Sequence, residues 1–254
     1  MAANGSLKTH MTQLPMQLPT HAPRLVRHLA ELTGVDAALP RRHLAQGLGR
    51  LFDLPDSIGI ANAQGAAPAW TPEKSAIPVE EIRSEFLRSR ADIVSSTLRS
   101  FMPGGVPLRL RFPVVTADMT REQTMTPAPY LAFYGAQQRE IDFRIRNLHA
   151  ATREAVAAVS PRLAQLAALD AALCEPIATH HRRFFATVCE LLLGRIEYLL
   201  DAYHQAVPEN QHNAGLWGDT LATLRSEMQD LLLAEIEARL QPALGLLDAL
   251  DEPE

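Results

Sequence analysis

Glu190, Glu197, Asp201 and His204 have residue types and spacing that suit metal ligation. Offsets of seven, four and three residues place them within about 60° of one another on a helix. A carboxylate and a histidine three residues apart supply half of a di-iron bundle site. The other half is a matching Glu-x-x-His on a second helix, with further glutamates. The chain's one Glu-x-x-His, Glu209 to His212, falls in the polar turn after Pro208 and not on a second helix, so the four residues read as a solvated acidic stripe rather than a metal centre.

Cys174, His180, His181 and Cys189 invite a zinc reading, since thiolate and imidazole are its usual donors at about 2.0–2.3 Å. On one straight helix, however, Cys174 lies about 9 Å along the axis from His180, and Cys189 about 12 Å from His181. A site there would need several chains or a break at Pro176. His180 reads instead as a polar insertion in a packed seam, and His181 with Arg182 and Arg183 as an outward face. The two cysteines, the only ones in the chain, are separated by about 22 Å of helix and cannot pair with each other. Free thiols suit a reducing compartment.

Nucleophilic and nucleotide chemistry find no signature. The chain has no Gly-x-Ser-x-Gly, no Gly-x-x-x-x-Gly-Lys, and no Gly-x-Gly-x-x-Gly following a strand. No catalytic residue, metal or cofactor is assigned. A strand-poor chain without these patterns reads as non-enzymatic. The N-terminal part carries Arg24, Arg27, His28, Arg41, Arg42, His43 and Arg50 around Gly34, in the outline of two short helices and a glycine turn. If DNA is a partner, Arg24, Arg27, Arg41 and Arg42 are the candidates for phosphate contact.

The charge distribution limits that reading. Of 24 basic residues all but Lys8 and Lys74 are arginine, and the net charge is -5. Residues 1–127 hold 14 basic and 11 acidic side chains, whereas residues 128–254 hold 10 and 18. A polyanion would therefore meet the N-terminal half more readily, but a balance of +3 is not a strongly basic footprint. No secretory leader opens the chain and no window is apolar enough to span a membrane, so a cytoplasmic location is expected.

The elements that must position these residues are helical. Residues 1–22 are expected to be disordered, 23–63 to form a small helical segment, and 64–77 to be a linker. In 78–127 a helix with Ile82, Phe86, Ile93, Thr97 and Phe101 inward, widened by Leu87, Val94 and Leu98, precedes an irregular proline-rich stretch. The alternation over 108–112 suits at most one edge strand, because Pro107 and Pro113 bracket it too tightly for a sheet interior. Residues 128–250 form a bundle of long helices, with an acidic tail at 251–254. The first long helix, about 129–159, aligns Tyr130, Tyr134, Ile141, Ile145, Leu148, Thr152, Val156 and Val159. The second, about 161–207, aligns Leu166, Leu169, Leu173, Ile177, His180, Phe184, Val188, Leu191 and Leu199. The third aligns Leu221, Leu224, Met228, Leu231, Leu232 and Ile236 until Pro242, with Leu244 to Leu250 as a short apolar helix beyond it. The expected fold class is all-α, an elongated bundle of long antiparallel helices. The line His180, Phe184, Val188 is either intrachain core or an interface for a second copy or a partner helix, with His180 setting register.

The run from Leu25 to Asp36, the Leu48-Gly49 helix, the aromatic stretch Pro129-Tyr130-Leu131-Ala132-Phe133-Tyr134, the Gln138-Arg139-Glu140 triplet and the segment from Ser160 to Asp170 together resemble one family. It comprises proteobacterial proteins with a domain of unknown function, found beside genes for a membrane motor pair of the flagellar-stator type. Members occur as an accessory component of the type III Zorya anti-phage system. The resemblance implies a cytosolic, non-enzymatic adaptor or effector that binds a proton-driven membrane complex or its other accessory protein. It carries over no catalytic residue.

Overall fold

The computed structural model describes residues 23–33, 54–65, 77–102, 110–113, 126–207 and 214–252. Among these, every regular element is helical: α1 (Arg24–Thr33), α2 (Leu54–Gly65), α3 (Val79–Ser100), α4 (Ala128–Ala157), α5 (Pro161–Ala206) and α6 (Ala214–Asp248), with a closing 3-10 turn at Ala249–Asp251. The expected all-helical bundle is present. The helix expected from Pro40, with Arg41 and Arg42, lies outside the described residues, as do the N-terminal 22 residues and most of the expected linker.

Local sequence explains where the long helices begin. α3 carries Glu80 and Glu81 in its first turn and Arg99 in its last, matching the helix dipole at both ends. α5 starts at Pro161, whose missing N–H is no loss at a first helical position. Ser160 caps it, accepting a hydrogen bond from the Leu163 N–H at 3.3 Å. Only residues 158–160 separate α4 from α5, so the two fold back as a helical hairpin. α6 then returns alongside both.

Two prolines lie inside helices. Pro176 sits within the 46-residue α5 and Pro242 within α6. The sequence pattern breaks the third long helix at Pro242 and resumes it as a short apolar helix, whereas α6 runs through the proline without interruption to Asp248. An interior proline costs about 3 kcal/mol. Here Leu240, Ala243, Leu246 and Leu247, all buried, flank the proline and offset that cost through packing.

α6 is the centre of the core. It packs against α1, α3, α4 and α5, while α2 packs on α5. Leu224, Met228, Leu231, Leu232, Ile236 and Leu240 line its inner face, all essentially inaccessible. Phe101, Phe112 and Phe133 form an aromatic cluster with centroids 5.1–5.7 Å apart, Phe133 meeting the other two edge-on, and Phe112 meets Tyr130 at 5.6 Å. The Phe112 N–H donates to the Ser100 carbonyl at 2.9 Å, tying this short irregular piece to the end of α3. Residues 110–113 carry no strand.

The expected inner faces of α3 and α4 are largely observed, although Leu87 is exposed. On α5 the expected line holds at Val188 but is off by one residue at Phe184, Leu191 and Leu199. Phe185, Val188, Leu192, Ile196, Leu200 and Tyr203 are buried, whereas Phe184 is 45% exposed. Near the start of α5 the buried positions are Leu163, Ala164 and Ala167, with the larger leucines only partly covered. Small alanines let helices approach closely, so a reading that follows the large side chains tracks the wrong row.

Candidate functional site

The least expected side chain in the core is Glu235, fully inaccessible in an otherwise apolar stretch of α6. Its Oε1 accepts from the Tyr134 hydroxyl and from Gln138 Nε2, each at 2.7 Å, and its Oε2 accepts from Arg239 Nη2 at 3.2 Å. Arg239, one turn further on, also donates to Asp142 Oδ1 at 2.9 Å. The guanidinium lies 3.5 Å from the centre of the Phe185 ring. Gln138 completes the set, donating to the Phe185 carbonyl at 3.1 Å and accepting from the Cys189 thiol at 3.1 Å.

Helical periodicity builds this network. Tyr134, Gln138 and Asp142 stand four residues apart on α4, Phe185 and Cys189 on α5, and Glu235 and Arg239 on α6, so each helix offers one face. Burial raises the Glu235 carboxyl above its usual range, opposed by Arg239 and by the hydroxyl and amide donors. Burial likewise pushes the Tyr134 phenol and the Cys189 thiol up, with Glu235 adding to both shifts. A carboxylate so fully partnered holds three helices in register. Slipping any of them by a turn would leave a buried charge unpaired.

A second cluster lies further along the α4–α5 hairpin. His149 and Arg153, four apart on α4, face Asp170 and Cys174, four apart on α5. His149 Nε2 is 2.9 Å from Asp170 Oδ2, and Nδ1 is 3.8 Å from Cys174 Sγ. Arg153 Nη1 donates to Asp170 Oδ2 and to Cys174 Sγ, both at 3.2 Å. Contact with Asp170, and then with Cys174, pushes the His149 imidazole up to about 9, although burial acts the other way. All four are mostly covered.

A cleft of about 390 Å³ joins the two clusters, lined by Asp142, His149, Asp170, Cys174, His181 and Arg239 among polar groups. Leu173, Ile177 and Pro242 supply apolar wall. His181 therefore does not face outward as the sequence pattern suggests. It stacks edge-on against Phe185 at 6.0 Å, and burial lowers its basicity, with Arg239 adding to the shift. The size and mixed lining are those of a small-ligand pocket.

The other sequence candidates are scattered. Arg24 is engaged with α6, 3.4 Å from Asp230 and 3.1 Å from Glu237, so its guanidinium is not presented to a phosphate. Arg27 is exposed. Glu190, Glu197, Asp201 and His204 are all exposed along α5. Val188 lies inside the core and Phe184 outside it, while His180 is half-buried, so the three do not form one seam. Cys174 meets His149 and Asp170 rather than His180.

Both clusters escape a reading of single helices. Glu235 had a visible signal, an acid on the same helical face as Met228, Leu231 and Leu232. The His149 cluster had one too, since residues about equally far from the 158–160 turn face each other in a helical hairpin. Neither a curated protein nor a solved structure matches this chain. The model of a family described as proteins of unknown function, DUF3348, matches residues 11–252, nearly the whole length, and the chain belongs to that family.

Proposed function

We propose that this protein is a non-enzymatic accessory protein, an adaptor or effector, of a Zorya-like anti-phage complex and acts in the cytoplasm by protein–protein contact. The observation that most supports this reading is a set of large apolar side chains on the long helices that the core does not use. Phe143 on α4, and Phe184 and Tyr198 on α5, are 56%, 45% and 63% exposed. Phe184 and Tyr198 lie within about 40° of each other around the α5 axis. Arg195 sits 5.2 Å from the centre of the Tyr198 ring and is itself held by two bonds to Glu227. Exposed aromatics beside a fixed arginine are the usual anchors of protein interfaces.

On the family resemblance, the partner would be a membrane motor pair of the kind encoded beside family members. No helix among the described residues is long and apolar enough to cross a membrane, so on this reading the protein meets the complex from the aqueous side. Co-expression with the neighbouring motor pair, followed by affinity purification in detergent, tests the reading. Co-elution is expected with the wild type. It should be lost, together with protection against phage, in a Phe184→Asp/Tyr198→Asp variant whose circular dichroism and melting are unchanged. No co-elution of the wild type, or full retention by the variant, would remove the reading.

A further inference from the structure

We propose that His149, Asp170 and Cys174 form a binding site for a zinc-type divalent metal ion on the wall of the α4–α5–α6 cleft. This goes beyond the adaptor reading and does not depend on it. Imidazole, carboxylate and thiolate are the donor types zinc selects. One donor atom from each residue lies within 4.8 Å of the others. Cys174 Sγ is 3.8 Å from His149 Nδ1 and 3.9 Å from Asp170 Oδ2. Tetrahedral zinc bonds of about 2.0–2.3 Å set donor–donor edges near 3.3–3.6 Å. Two edges are thus within about half an ångström of that range, and side-chain rotation closes the set. The backbone is already fixed, because each helix delivers its part of the cluster at four-residue spacing.

Charge points the same way. Once ion binding releases the imidazole and thiol protons, a carboxylate, a thiolate and a neutral imidazole balance a divalent ion. Arg153 answers the same demand for positive charge, with one nitrogen bonded at 3.2 Å to the two donor atoms, Asp170 Oδ2 and Cys174 Sγ, that a metal would hold. The arginine marks the place as one that attracts a cation, and it is also the competitor an entering ion must displace. Its side chain is a quarter exposed, which leaves it a way out to solvent. All three donors line the cleft, so the fourth coordination position opens onto it, the pattern of sites that bind a water or an exogenous ligand.

The test uses the full chain and two metals. Zinc titration with elemental analysis should give one ion per chain, and cobalt(II) should give a thiolate-to-metal charge-transfer band. Cys174→Ser should abolish the band and weaken zinc by at least about tenfold, whereas Cys189→Ser, at the Gln138 side of the core, should leave both unchanged. Arg153→Met should tighten zinc by removing the competing cation, a gain that a damaged fold cannot mimic. The proposal is overturned if the wild type takes up neither metal at stoichiometric concentration. It is equally overturned if Cys174→Ser keeps wild-type affinity, if Cys189→Ser abolishes the band, or if Arg153→Met fails to strengthen binding.

Discussion

At the residue scale, Glu235 decides more than any other side chain, because its environment sets two effects of opposite sign. Burial penalises the ionised carboxylate, while Tyr134, Gln138 and Arg239 stabilise it, and burial prevails, so the folded-state pKa lies above the ordinary value of 4.5. Between those two values the folded protein binds more protons at this site than the unfolded chain. The contribution of Glu235 to stability must then fall as pH rises from about 4.5 through the folded pKa. Glu235→Gln preserves the carbonyl acceptor and removes the titration. Relative to wild type, the variant should therefore gain stability as pH is raised from 4.5 towards 7, measured as the difference in urea midpoints at each pH. A difference that shrinks over this range would mean that Arg239 and the hydrogen bonds outweigh burial.

At the scale of elements, the α4–α5 turn rests on one cap. Ser160 is buried, its side chain receives the Leu163 N–H, and Pro161 stands ready at the first helical position. Ser160→Ala removes an acceptor without filling new space, and urea unfolding should show a loss of about 1 kcal/mol. Ser160→Asp, which keeps an acceptor, should lose less. This turn was legible in the sequence because Ser-Pro is a local signal, and so was the inner face of α4, where Tyr130, Tyr134, Ile141, Ile145, Leu148, Thr152 and Val156 are all buried. The α5 face was not legible. Phe184 and Phe185 are equally apolar neighbours, and only the position of α6, whose Arg239 lies over the Phe185 ring, selects between them. Pro242 misled for a related reason, since the packing that carries a helix through a proline comes from other helices. The candidate site was least legible of all, because its residues become neighbours only when the hairpin closes.

At the scale of the whole molecule, stability is distributed unevenly between the centre and the edge. α6 is enclosed by four other helices, and its Leu231, Leu232 and Met228 are inaccessible. α1 is ten residues long and docks against α5 and α6. Its attachments are the buried Leu25 and Ala30 and the partly exposed pairs of Arg24 with Asp230 and Glu237. A ten-residue helix is marginal by itself, and ion pairs exposed to this degree add little, so Leu25 is the principal anchor. Leu25→Asp should detach α1 while leaving the bundle folded. Hydrogen exchange followed by mass spectrometry would then show α1 amides exchanging at near-unprotected rates and the α6 amides unchanged. Leu232→Ala leaves a cavity at the centre and should lower protection in α4, α5 and α6 together, with a loss of about 2–5 kcal/mol. Were Leu25→Asp to reduce protection throughout the bundle as Leu232→Ala does, α1 would be part of the cooperative core, and Arg24 would be a structural cation that no polyanion could recruit without unfolding the protein.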